Sequence, residues 1–300
     1  MAEPVLSVHG LRRSYGDLVA LDDLTFDVPV GLTGFVGANG AGKTTAIKML
    51  IGLSRPTSGE AEVAGFEVSR HPERVKRNIG YMSQRFSLYA DLTVRQNIRF
   101  YGGVYGLTRE RIRAKTAEIV EELDLADYVD RDVGALPLGW RQRLAFAVAG
   151  VHEPGIIFLD EPTGGVDPAT RRQFWEALYA KAADGVTIFV TTHYMDEAEY
   201  CDRVSIMVEG KIAALGTPAE LKDQFGAPSM DGVFVELVRP DDGFEAEAGH
   251  TGERPLAESP LPPGEGDPSG ALEAGPEAGA LEGEPRSAPP PDLEAGTDKP

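Results

Sequence analysis

Apolar positions along this chain change period several times, and each change marks an element. Val5 to His9 alternates well enough for a strand, the turn-prone Arg12-Arg13-Ser14-Tyr15-Gly16 follows, and Ala20 to Val28 offers a second strand-like run. Phe35 and Val36 close a short apolar run that suits a buried strand, after which Ala46, Ile47, Met49, Leu50 and Leu53 recur at helical spacing. Ser54 to Gly59 has the Pro, Ser and Gly of a turn, and Glu60 to Val68 reads as another strand or hairpin. A helix is expected around His71 to Asn78, then a strand from Ile79 to Ser83 that ends at Gln84.

The next stretch is helical. Thr93 and Gln96 have capping-box spacing and open a helix with Val94, Ile98, Tyr101 and Val104 or Tyr105 along one face. Thr108 can cap a second helix whose apolar positions are Ile112, Ile119, Val120 and Leu123. The block from about residue 85 to 150 is therefore expected to be a helical insertion. The strand-and-helix rhythm resumes with a strand over Gly155 to Asp160, a helix from Pro168 to about Ala183, and a strand over Val186 to Thr191. Val204 to Val208 and Ile212 to Leu215 flank the turn Glu209-Gly210-Lys211, a hairpin signal. Thr217, Pro218 and Glu220 supply a cap, a first-turn proline and a capping-box partner for a short helix. Met230, Val233, Phe234 and Leu237 keep helical spacing and bring the folded part to an expected end near residue 239.

Between the apolar run at Val36 and the helix after it lies the chemistry. Gly37, Ala38, Asn39, Gly40, Ala41, Gly42, Lys43, Thr44 and Thr45 fill the phosphate-loop pattern of Gly, four residues, Gly, Lys and Ser/Thr. Glycines let the backbone wrap a phosphate with its N–H groups, and the following helix adds its positive end. Lys43 would reach the outer phosphates and the Thr44 hydroxyl would bind Mg²⁺. A second stretch, Ile156 to Glu161, has four apolar residues suited to a strand covered on both faces, ending in two carboxylates. Alone, such a pair often caps a following helix. Beside a phosphate loop, Asp160 would hold Mg²⁺ directly or through water, and Glu161 is the candidate base that orients or deprotonates an attacking water.

Composition changes the picture at the C-terminal end. The chain of 300 residues carries a formal charge of −19, but residues 241–300 hold 15 acidic and 3 basic residues and 11 of the 22 prolines. That segment accounts for −12, so the first 240 residues carry an ordinary −7. Residues 240–300 are expected to be a disordered acidic tail, with one folded domain over 1–239. Nothing in this balance argues for broad binding to nucleic acid. The single cysteine, Cys201, is expected to be a buried thiol in a reducing compartment. Met1 to Pro4 lacks the features of a secretory leader, and no run approaches the roughly 20 apolar residues of a membrane span, so the chain is expected to be soluble.

Taken together and in order, these motifs resemble the nucleotide-binding subunits of ABC transporters, from about Val5 to Leu237. The resemblance implies an α/β fold: a P-loop NTPase core with a mainly parallel sheet, an N-terminal antiparallel β portion and a helical insertion. It further implies that Tyr15 stacks on adenine and that Gln84 touches Mg²⁺ and senses the transmembrane partner. Asp160 and Glu161 then match the family's Mg²⁺-binding aspartate and catalytic glutamate. Asp167 belongs to the loop that follows them, and His193 would contact the γ-phosphate.

One stretch departs from the family. Where it usually has Leu-Ser-Gly-Gly-Gln, this chain has Leu136, Pro137, Leu138, Gly139 and Trp140. In the family this stretch completes the ATP site of the opposing subunit, and here Gly139 remains as the close-approach residue. Pro137 removes a hydroxyl and an N–H, although proline suits the first turn of a helix. Ala38 replaces a usual proline. LPLGWRQRLA, FLDEPTGGVDP and VTTHYMDEAEYCDR look most like the ATPase subunits of ABC-2-type drug and antibiotic exporters. The expectation is an ATP-hydrolysing subunit, peripheral on the cytoplasmic face, that pairs with a second copy or a related subunit on MgATP and drives a separately encoded permease. Phe86, Leu88 and Tyr89 offer either a groove for that permease or plain core. The alternatives are a soluble ABC ATPase acting on ribosomes or DNA, and a catalytically weakened regulatory subunit.

Overall fold

The computed structural model describes residues 4–84 and 88–239. Phe86 and the acidic tail lie outside the described residues. Ten strands and nine α-helices are described: β1 (Leu6–Tyr15), β2 (Leu18–Val28), β3 (Leu32–Gly37), α1 (Lys43–Leu50), β4 (Ser58–Val63), β5 (Phe66–Glu67), α2 (Pro72–Asn78) and β6 (Ile79–Met82) come first. The helices α3 (Val94–Val104), α4 (Arg109–Glu122) and α5 (Leu138–Ala149) follow. The chain then runs through β7 (Ile156–Asp160), α6 (Pro168–Ala183), β8 (Thr187–Thr192), α7 (Met195–Ala198), β9 (Arg203–Val208), β10 (Lys211–Gly216), α8 (Pro218–Phe225) and α9 (Met230–Val238).

Two sheets organise them. A four-stranded antiparallel sheet has the order β2-β1-β4-β5, and a six-stranded sheet has the order β10-β9-β3-β8-β7-β6, parallel except for β10. The strands β3, β7 and β8 are buried along their whole length, as near-continuous apolar runs in a covered parallel sheet should be. Between the sheets, Phe35, Phe158, Phe189 and Phe26 pack with ring centroids 5.3 to 5.6 Å apart along the chain of contacts. Each such ring contributes about 2–3 kcal/mol by burial. The other face of the main sheet is covered by apolar residues of α5, α6, α8 and α9, including Phe146, Phe174, Leu221 and Val233.

The helical block has a core of its own, with Val94, Ile98, Ile119, Leu123 and Leu144 buried together. Helix α5 joins it to the main sheet: Leu144 and Val148 face the helical core, whereas Ala145, Phe146 and Ala149 face the sheet. Helix α3 starts with a complete capping box, Thr93 Oγ1 accepting from Gln96 N at 3.2 Å and Thr93 N donating to Gln96 Oε1 at 2.9 Å. Among the described residues, no helix is long and apolar enough to cross a membrane.

Three expectations are corrected. The stretch Arg12 to Tyr15 is not a turn: β1 runs on to Tyr15, and the turn is confined to Gly16 and Asp17. Register shifts between Val8 and Ser14 let this polar segment keep pairing with β2, and Thr57 Oγ1 accepts from Ser14 N. Strand β8 begins and ends one residue later than expected. Pro137 is the N-cap of α5 and not a residue of its first turn.

Candidate functional site

The loop after β3 turns into α1 through two backbone positions that need glycine. Gly40 and Gly42 have φ of +84° and +107°, and Gly42 is also the N-cap of α1. A β-carbon on Gly42 would press on Leu21 and on the Ala20 carbonyl, so the loop sits directly on β2. The β9–β10 turn supports it from beneath, Gly210 N donating to Ala41 O at 3.0 Å. Lys43 is 4% exposed, and its Nζ turns back to the carbonyls of Gly37 and Ala38 at 2.8 and 3.1 Å. Asn39 and Gly40 form the exposed crest of the loop, and Thr45 is half-buried in the first turn of α1.

Strand β7 brings two carboxylates to the same edge. Asp160 is buried, and its Oδ1 accepts from Thr191 Oγ1 at 2.8 Å and from Thr44 Oγ1 at 3.3 Å. Burial pushes the Asp160 carboxyl above its ordinary range, and the two hydroxyls pull it back only in part. Glu161 has a φ of +48°, a conformation costing about 1–3 kcal/mol for a residue with a β-carbon. Its N–H is held there by the Thr191 carbonyl and hydroxyl at 3.1 and 3.0 Å.

That turn aims the Glu161 carboxylate at three partners. Oε1 is 3.2 Å from Lys43 Nζ, while Oε2 accepts from Gln84 Nε2 at 3.1 Å and lies 3.1 Å from His193 Nδ1. Gln84, Glu161 and His193 line one cleft together with Met82, Gly165 and Tyr194. The structure thus brings Lys43, Thr44, Gln84, Asp160, Glu161 and His193 into one connected cluster.

Tyr15, Asp167 and Gly139 lie outside that cluster. Tyr15 is half exposed at the end of β1, with the Arg13 guanidinium 4.5 Å from its ring centroid. Asp167 is the N-cap of α6, accepting from the N–H groups of Ala169 and Thr170 at 3.0 Å and from the Thr170 hydroxyl at 2.6 Å. These bonds, the hydroxyl's first, hold its carboxyl below the usual range. Gly139 packs against Thr170.

Among the described residues, no group of three or more His, Cys, Asp or Glu is arranged to hold a metal ion. The Thr44 hydroxyl and the Asp160 carboxylate instead form a pair of hard oxygen donors. That set fits Mg²⁺, which keeps water and phosphate oxygens as its other ligands. Sequence reasoning missed Thr191, whose hydroxyl donates to the Asp160 carboxylate and accepts from the Glu161 N–H. Its one visible signal was its position beside Thr192 and His193 at the end of a buried strand.

The family model described as "ABC transporter" matches residues 21–164. The chain is 45% identical over 242 residues to the probable multidrug ABC transporter ATP-binding protein YbhF of Escherichia coli (strain K12), covering 79% of this chain and 42% of that protein. The chain therefore spans less than half the length of that relative. It is 39% identical over 238 residues to the daunorubicin resistance ATP-binding protein DrrA3 of Streptomyces coeruleorubidus, covering 79% of this chain and 75% of that one. Among solved structures, an ATP-binding subunit of an ABC transporter superposes with a TM-score of 0.71 at 31% identity, over 78% of this chain and all of the other.

Proposed function

The chain belongs to the ABC transporter family, and from that premise we propose that it is the ATP-binding and ATP-hydrolysing subunit of a membrane exporter. In this reading two copies, or this chain and a related subunit, close on two MgATP molecules at the cytoplasmic face and drive a separately encoded permease. The observation that carries it is the Glu161 carboxylate, within 3.1 to 3.2 Å of Lys43, Gln84 and His193 at once.

Phosphoryl transfer asks a protein mainly for positioning and charge neutralisation. The N–H groups of the loop from Gly37 to Thr45 cradle the phosphates, and Lys43 meets their outer oxygens. Thr44 and Asp160 hold Mg²⁺, which neutralises charge on the phosphate oxygens. Gln84 stands at the edge of that site, and Glu161 orients or deprotonates the attacking water. His193 meets the γ-phosphate, Tyr15 stacks on the adenine, and Gly139 and Asp167 line the far wall supplied by the second subunit. The names of YbhF and DrrA3, a multidrug transporter and a daunorubicin resistance protein, favour drug-like cargo.

ATP hydrolysis by wild type, Lys43→Ala and Glu161→Gln tests the enzyme reading, which fails if the three behave alike. Co-purification tests the transport reading, which fails if no integral membrane protein accompanies the chain. A second reading, a weakly hydrolysing regulatory subunit, is favoured by Pro137 at the N-cap of α5, where no side chain caps the helix. Steady-state ATPase of Pro137→Ser with Leu138→Gly separates the two: a large gain marks a weakened subunit, and no gain marks an active motor.

A further inference from the structure

Behind His193 stands a column of side chains that the scheme above does not use. The Tyr194 ring lies against the His193 imidazole, centroids 4.1 Å apart and planes inclined by 37°. The Arg171 guanidinium is 4.4 Å from the centroid of the Tyr194 ring. Its Nε is 3.4 Å from Glu197 Oε1, and its Nη1 is 3.5 Å from Asp196 Oδ2. Glu197 is fully buried, and the same Oε1 accepts a 2.6 Å hydrogen bond from Thr163 Oγ1 while Oε2 has no hydrogen-bond partner.

Three elements meet in this column. Thr163 lies in the loop just after Glu161, Arg171 in the first turns of α6, and Glu197 on α7, whose N-cap is Tyr194. A carboxylate taken wholly out of water is tolerated when a cation stands beside it, and Arg171 is that cation. A glutamine of the same size would keep the Thr163 bond without any charge to shield. The carboxylate and the guanidinium form an ion pair, and the guanidinium lies over the face of Tyr194.

We propose that Glu197 and Arg171 are positioning residues, which through Tyr194 hold the His193 imidazole so that Nδ1 faces Glu161. The inference rests on the reading of Glu161 and His193 as parts of an ATP-hydrolysing site. Arg171 follows Thr170, whose hydroxyl bonds Asp167, so the same column ties the aim of His193 to the N-terminal end of α6.

The test compares Arg171→Met, Glu197→Gln, Tyr194→Phe and His193→Ala in the full chain, with the double variant Arg171→Met/His193→Ala. Arg171→Met is expected to lower kcat about ten- to hundredfold, the cost of a misplaced group, with KM for MgATP changed less than about threefold. Tyr194→Phe, which keeps the ring, retains the greater part of kcat. In the His193→Ala background Arg171→Met causes no further loss, because its effect passes through the imidazole. Without nucleotide, the imidazole proton resonances of His193, identified by their absence in His193→Ala, shift in Arg171→Met as the Tyr194 ring leaves them. Wild-type kcat in Arg171→Met, losses that multiply in the double variant, or unmoved resonances overturn the inference and leave the site reading standing. Full hydrolysis by His193→Ala overturns both. Should Arg171→Met fail to fold by far-UV circular dichroism, Glu197→Gln, which preserves volume and the Thr163 bond, carries the same expectations.

Discussion

Gly139 approaches Thr170 so closely that a β-carbon on Gly139 would overlap the Thr170 methyl group. The contact joins the second residue of α5 to the turn capped by Asp167, because the Thr170 hydroxyl bonds that carboxylate at 2.6 Å. The absence of a side chain at Gly139 thus serves the chain's own packing, whatever lies against it from outside.

Gly139→Ala is therefore expected to destabilise the fold by about 1–3 kcal/mol, the usual cost of overpacking. Thr170→Ser removes the obstructing methyl and keeps the hydroxyl. Denaturant unfolding of the single and double variants checks this: the double variant should recover most of the loss.

Lys43 and Glu161 are expected to separate binding from chemistry. Lys43→Ala removes a charge-assisted contact and should weaken ATP binding about ten- to hundredfold. Glu161→Gln keeps size and hydrogen bonding but not basicity, so kcat should fall about 10²- to 10⁴-fold with ATP affinity changed little. Equilibrium binding of a fluorescent nucleotide alongside single-turnover hydrolysis distinguishes the two.

His152 gives the fold a pH dependence remote from the site. Its ring stacks on Tyr105 with centroids 3.6 Å apart, and burial pulls its pKa down to about 4 from 6.5. The unfolded chain then binds a proton that the folded chain refuses. This stabilising contribution is complete above pH ~6.5 and is lost as pH falls towards ~4, by at most about 3 kcal/mol. Unfolding of His152→Gln across that range should lack this slope, leaving the carboxylates' contribution alone.

Thr93→Ala removes the hydroxyl half of the α3 capping box and should cost about 1 kcal/mol. The thermal midpoint reads the loss directly. Gln96→Ala, which removes the reciprocal half, should add less than its single effect to Thr93→Ala, since both act on one helix end.

Local chemistry explains what was legible beforehand. The boxes at Thr93/Gln96 and Thr217/Glu220, the Glu209-Gly210 turn and the loop from Gly37 to Thr45 each act within a few residues, so their spacing carries their meaning. Asp160 and Glu161 could be read because a buried parallel strand leaves few places for its terminal carboxylates. The polar extension of β1 to Tyr15 was hidden, since it depends on register shifts against β2 and on Thr57. Thr191, Arg171 and Glu197 were hidden for a related reason: their partners lie 23 to 34 residues away, and no periodicity marks which side chain will meet which.

Strand β8 lies between β3 and β7, so the strand ends that carry the phosphate loop and the two carboxylates stand two strand spacings apart, about 10 Å, and side chains bridge the interval. Main-chain hydrogen bonds set that interval, and no side-chain replacement within the cluster cancels them. A copy made inert at Glu161 would keep the outline of a working one. Mixed with active copies in any assembly that takes two, it would occupy a place without doing the work, and the loss would exceed its share of the population.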